Sequence, residues 1–122
     1  MNFKDMDHLE YYEDFIKRDK TNPRDLERKA LFYLLALDDS CRSNINRLYD
    51  FKNHQIKFEG LSSGFQTSGS LAITKLAFNL YNNFNGETGD YTYKYMTPLD
   101  IFSSVDRDDM IYLWEAINIR LN

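Results

Sequence analysis

The sequence predicts an all-α fold: a compact bundle of five to six helices, with at most a minimal two-stranded β-hairpin. Three observations carry this. Apolar residues recur at intervals of three and four in five segments. Two helix starts are marked by a residue of capping type followed by proline, Asn22-Pro23 and Thr97-Pro98. Gly, with five, and Pro, with two, are scarce among 122 residues, which excludes a linker-rich or collagen-like chain. Residues 1–122 are expected to form a single globular helical domain.

The first helix is expected over about Asp7–Arg18, where Leu9, Tyr12 and Ile16 make one stripe beside Tyr11 and Phe15. The second follows Asn22-Pro23, with Asp25 at the positive end of its dipole, and carries Leu26, Ala30, Tyr33, Leu34 and Leu37. Residues 30–37 are apolar all round, which places the last two turns at the centre. Asp38-Asp39-Ser40 ends that helix and caps a third, about Cys41–Phe51, with Cys41, Ile45, Leu48 and Tyr49 on one face.

Residues 53–67 lose the helical period. Gln55-Ile56-Lys57-Phe58 alternates like a brief strand, and residues 91–95 are its expected partner. A loop this long is either functional or packed down by Ile56, Phe58, Leu61 and Phe65. Thr67 or Ser68 caps a fourth helix, about Ser70–Asn83, with Ile73, Leu76, Ala77, Leu80 and Phe84 on one side and Lys75, Asn79 and Asn82 as its polar strip. Thr97-Pro98 opens a short helix to about Ser104. Asp106 caps the last, about Arg107–Leu121, with Met110, Leu113, Trp114, Ile117 and Leu121 as its stripe.

The net charge is −4, unevenly spread. Residues 1–39 hold 7 basic and 10 acidic side chains, residues 40–85 hold 5 and 2, and residues 86–122 hold 3 and 7. Acidic ends argue against strong direct nucleic-acid binding, which needs clustered Lys and Arg. Cys41 is the only cysteine, so no intrachain disulfide forms, and a lone thiol fits a reducing cytoplasm. The N-terminal residues are charged and lack the apolar core of a signal peptide. The longest apolar run, Ala30–Leu37, is eight residues where a membrane span needs about twenty. A cytoplasmic protein with no membrane contact is expected.

Neither a metal site nor a cofactor is expected. His8 and His54 stand apart in sequence, and no HExxH, CxxC, GxGxxG or GxxxxGK[ST] pattern occurs. Ser62-Ser63-Gly64 and Ser68-Gly69-Ser70 read as turns and caps, Cys41 as a buried structural thiol, and no catalytic residue stands out.

Tyr91, Tyr93 and Tyr95 alternate between turn residues and share one face if that segment is extended. Either they form an exposed aromatic patch for a partner, or they fold back on the core. Asp106, Asp108 and Asp109 lie near in sequence, as a helix start or as charges that steer a basic partner towards those rings. These six residues are the expected partner-binding set.

Arg28-Lys29-Ala30-Leu31-Phe32-Tyr33, Leu48-Tyr49-Asp50-Phe51, Leu76 to Asn82, Pro98-Leu99-Asp100-Ile101-Phe102 and Ala116-Ile117-Asn118-Ile119-Arg120 resemble a small uncharacterised family of Firmicutes and their mobile elements. The resemblance spans about residues 20–120 and brings no known catalytic residues. It implies a setting in which small acidic proteins often inhibit host defence, including anti-CRISPR proteins. The expected function is therefore non-enzymatic: docking on, and inhibiting or regulating, a protein partner with a basic nucleic-acid-binding groove. The alternative is a nucleic-acid-binding regulator using Arg42, Arg47, Lys52, Lys57 and Lys75. The sequence leaves the oligomeric state open.

Overall fold

The computed structural model describes residues 1–86 and 95–122. Six α-helices follow in the order α1 (Met6–Asp19), α2 (Leu26–Leu37), α3 (Asp39–Ser43), α4 (Ser68–Asn82), α5 (Pro98–Ser103) and α6 (Met110–Leu121). Two short strands, β1 (Tyr49–Asp50) and β2 (Gln55–Ile56), form a hairpin between α3 and α4. Single 3-10 turns cover Ile45–Arg47, Phe58–Ser62 and Arg107–Asp109. This is the all-α bundle with a minimal hairpin that the sequence predicts.

The all-round apolar run sits at the centre. Helices α1, α3, α4 and α6 all pack on α2. Residues Ala30 through Ala36 have no exposed surface. Each buried Leu or Phe there contributes about 1.5–3 kcal/mol of transfer free energy. Helix α4 is the second organiser, packed on α2 and carrying α5.

Helix α2 starts three residues later than Asn22-Pro23 predicts. The Asn22 side chain accepts the N–H of Arg24 at 2.8 Å, which holds Pro23 in a turn ahead of the helix. Asp25 is the cap instead, accepting the N–H of Arg28 at 2.9 Å. Where Thr97 precedes Pro98 the signal holds. Thr97 and Asp100 exchange side-chain and backbone bonds in a capping box, as Thr67 and Ser70 do at the start of α4.

The expected third helix, 41–51, is broken. Asn44 turns its side-chain amide onto the carbonyl of Ser40 at 2.8 Å, while its own N–H bonds Cys41. The side chain thereby takes the helix's i−4 acceptor, and α3 stops at Ser43. The chain then extends as β1, which pairs antiparallel with β2 in the register Tyr49↔Ile56 and Asp50↔Gln55. The strand at 55–56 thus pairs with its nearest neighbour in sequence. Tyr95 carries no strand, and residues 91–94 lie outside the described residues. Asp50 tightens the turn by accepting the N–H groups of Lys52 and Asn53 at 2.9 and 3.1 Å. A closure this short costs little entropy.

The rest of the 53–67 connection is packed down. The Phe58 ring lies 4.9 Å from Phe84 and 6.1 Å from Phe78, and Leu61 is buried. Gly60 lets the backbone approach the Arg47 carbonyl so closely that a Cβ there would come within 2.6 Å of Leu48 Cδ2.

At the C-terminal end, Asp106 makes no side-chain cap. Arg107–Asp109 form a 3-10 turn and α6 begins at Met110. The buried residues of α6 are Leu113, Ala116 and Ile119. Trp114 and Leu121, placed in the core stripe by spacing, are 60% and 76% exposed.

Candidate functional site

Helix α6 carries two apolar faces. One is buried on α2. The other holds Ile111, Trp114, Ile117 and Leu121, which the 3.6-residue period brings onto one side of the helix, away from Leu113, Ala116 and Ile119. Ile111, Trp114 and Leu121 are each at least 60% exposed. Helix α5 extends this surface. The Phe102 ring lies 6.0 Å from Trp114, and Leu99, one turn before Phe102, is exposed. Between α4, α5 and α6 opens a cavity of about 290 Å³. Its walls include Leu76, Leu80, Phe84, Ile101, Phe102 and Ile117, with Tyr95 and Pro98 also contributing. An exposed apolar surface bordering an apolar cavity is the usual form of an anchor-and-pocket contact.

Of the six expected partner-binding residues, Tyr91 and Tyr93 lie outside the described residues. Tyr95 is exposed and lines the cavity. Asp106 and Asp108 are exposed at the start of α6. Asp109 is not part of a free acidic surface. It bonds Lys4 at 2.8 Å, with its side chain only 14% exposed, and ties the N-terminal residues to the last helix. That bond, chief among the causes, holds the Lys4 ammonium above its ordinary pKa.

The five basic residues of the alternative reading do not share one open face. Lys75 is buried in the wall of the cavity. Arg42 has an 11% exposed side chain and bonds Asp39 at 2.6 Å and the Ala36 carbonyl at 3.2 Å. Lys57 donates to the Asn46 carbonyl at 2.7 Å. Arg47 and Lys52 are exposed.

A second polar centre was missed in the sequence, because its members are scattered from 19 to 54. Asp19, nearly fully buried at the end of α1, accepts from Thr21 at 2.6 Å, the Tyr49 hydroxyl at 2.6 Å and His54 Nδ1 at 2.7 Å. Arg28 of α2 lies 3.8 Å from the same carboxylate. It also donates to the Tyr49 hydroxyl, Asp25 and the His54 carbonyl. Burial alone would raise the Asp19 pKa. The three donors, with Arg28 beside them, more than offset it and hold the carboxyl below its ordinary value of about 3.8. The group clamps the hairpin to α1 and α2. The row facing the core on α1 is His8, Tyr12, Phe15 and Asp19, so two of its four members are polar and escaped an apolar-stripe reading.

His8 is fully buried, with Nε2 donating to the Tyr33 carbonyl at 2.8 Å and Nδ1 accepting the Lys4 N–H at 3.0 Å. Partners on both sides fix the neutral ring, and burial pushes its pKa below 6.5. Among the described residues, no group of three or more His, Cys, Asp or Glu is placed to hold a metal ion. Nor, among them, is any helix long and apolar enough to cross a membrane.

Fold and surface together define a small helical protein built round one buried helix, with an apolar face left open on its last. The chain belongs to a family of unknown function, DUF6075, whose model matches residues 1–122. No curated protein and no solved structure matches it.

Proposed function

We infer that this is a non-enzymatic binding protein that docks on a protein partner through the α5–α6 face and inhibits or regulates it. The observation that carries the reading is the second apolar face of α6. Large side chains held out of a core cost solvation free energy unless a partner covers them. Trp and Tyr are also the residues most often found at the energetic centre of interfaces. Tyr95 at the cavity mouth and Asp106 and Asp108 beside α6 belong to the same contact. The partner in this reading is a nucleic-acid-acting host-defence enzyme with a basic groove, met in the cytoplasm, and the protein is a mobile-element inhibitor of anti-CRISPR type. Its support is the charge pattern and the sequence resemblance.

The test is affinity capture from a host lysate with two baits, the natural chain and the Leu99→Ser/Trp114→Ser variant. Both substitutions are at exposed positions, so a thermal melt should shift little. A protein retained by the first bait and lost by the second is the expected result. A partner retained equally by both places the interface elsewhere and defeats the reading.

A further inference from the structure

The chemistry of the α5–α6 face narrows what covers it. Ile111 to Leu121 spans about 15 Å of helix, a mainly apolar face that also carries exposed Asn118. A helix has no unpaired backbone edge along its length, so an extended strand laid on it would leave its own N–H and C=O groups unbonded. A partner helix brings its backbone already satisfied. The cavity, at about 290 Å³, falls just below the range of pockets that enclose a drug-sized molecule. It suits one anchoring side chain at the edge of a larger contact.

Among the described residues, acidic side chains gather where α6 begins. Asp106 and Asp108 are exposed where α6 begins and Glu115 is half-buried. Among the described residues Arg107 is the exposed cation beside them. Lys4 is engaged with Asp109, and Arg120 with the Leu80 carbonyl at 2.6 Å and Glu27 at 3.7 Å, while Met1 and Lys29 line a hollow beside Glu115. The start of the face is therefore negative, which attracts a positively charged partner and repels an acidic one.

Building on the docking reading above, we propose that the α5–α6 face receives a basic amphipathic helix of the partner protein. That helix lies along Ile111, Trp114 and Leu121 and sets one large apolar side chain into the cavity beside Phe102 and Ile117. Its Lys and Arg flanks meet Asp106 and Asp108.

Trp114 is the only tryptophan in the chain, so its emission reports directly on this face. The probe is a synthetic helical peptide of about 18 residues, Leu on one face and Lys on the other, with no aromatic residue. Its counterparts are a Leu/Glu peptide of the same pattern and a scrambled Leu/Lys peptide. The expected result is a saturable blue shift of Trp114 emission with the Leu/Lys helix, about tenfold tighter than with either counterpart and weakened by salt. Asp106→Asn/Asp108→Asn should weaken it, and Ile111→Ser/Leu121→Ser should remove it with an unchanged thermal melt.

Equal binding of the Leu/Glu helix overturns the proposed charge preference, and equal binding of the scrambled peptide overturns the helix. In both cases the docking reading stands. No shift with any peptide, while the Leu99→Ser/Trp114→Ser bait still loses a captured protein, also overturns the proposal alone. A concentration-dependent shift without peptide, matched by dimers in sedimentation, assigns the face to a second copy and overturns both.

Discussion

Replacing Tyr49 by Phe removes one oxygen from the Asp19–Arg28 polar cluster and nothing else. The ring stays packed edge-on to Phe32 at 4.8 Å and Phe51 at 4.9 Å, so no cavity opens. The hydroxyl that is lost donates to the Asp19 carboxylate at 2.6 Å and accepts from Arg28 Nε at 3.1 Å. A hydrogen bond to a charged group contributes about 1.5–3 kcal/mol. Asp19 keeps Thr21 and His54, and Arg28 keeps Asp25 and the His54 carbonyl, so neither charge is orphaned. A loss of about 2 kcal/mol follows. Urea unfolding at pH 7 should show it as a lower midpoint at unchanged slope. The acid limb supplies the sharper test. Because the folded pKa of Asp19 is depressed, its bonds stabilise fully above the unfolded value near 3.8 and are lost as pH falls through the folded value. The difference between the natural chain and Tyr49→Phe should therefore shrink below about pH 3.8. A difference under about 0.5 kcal/mol at neutral pH, or one that ignores acid, would refute the reasoning.

Two further outcomes are expected. His8 is neutral when folded and has a pKa lowered from 6.5, so the unfolded chain takes up its proton first as pH falls. Stability should decline below about pH 6.5, by at most about 1.4 kcal/mol per pH unit, until the folded pKa is passed, and His8→Gln should remove that slope in denaturant titrations. Cys41 has no exposed surface, and burial, the largest cause, pushes its thiol pKa well up. It should resist an aromatic disulfide reagent at pH 8 until the protein unfolds, while Cys41→Ala costs about 1 kcal/mol and leaves partner binding intact.

Helices that owe their form to periodic apolar residues were legible in the sequence. Met6–Asp19, Ser68–Asn82 and Pro98–Ser103 fall within two residues of expectation, and the burial of 30–37 followed from having no polar side. What failed were places where one polar side chain redirects the backbone. Asn22 delays α2, Asn44 stops α3, and the periodic placing of Tyr49 then mistakes a strand for a helix face. The exposed α5–α6 surface was legible in part. Tyr95, Asp106 and Asp108 are candidates in the sequence and exposed in the structure. Trp114 was assigned to the core because periodicity marks an apolar side without saying how many sides are covered. The Asp19 cluster was not legible, since its contacts span up to 35 residues and no local pattern encodes them.

The position of α2 also sets a timetable for biosynthesis. Its most apolar turns, residues 30–37, leave the ribosome before two of the helices that enclose them, which end at Asn82 and Leu121. At about 5–20 residues per second, the 84 residues from Leu37 to Leu121 take roughly 4–17 s. Throughout that interval an eight-residue apolar segment is without its full cover: α1 and α3 reach it first, α4 follows, and the side that α6 covers stays open to the end. A chain stalled or cleaved before α6 keeps that segment open permanently. It becomes a substrate for chaperones and proteases, so quality control, not loss of a binding surface, decides the fate of C-terminal truncations.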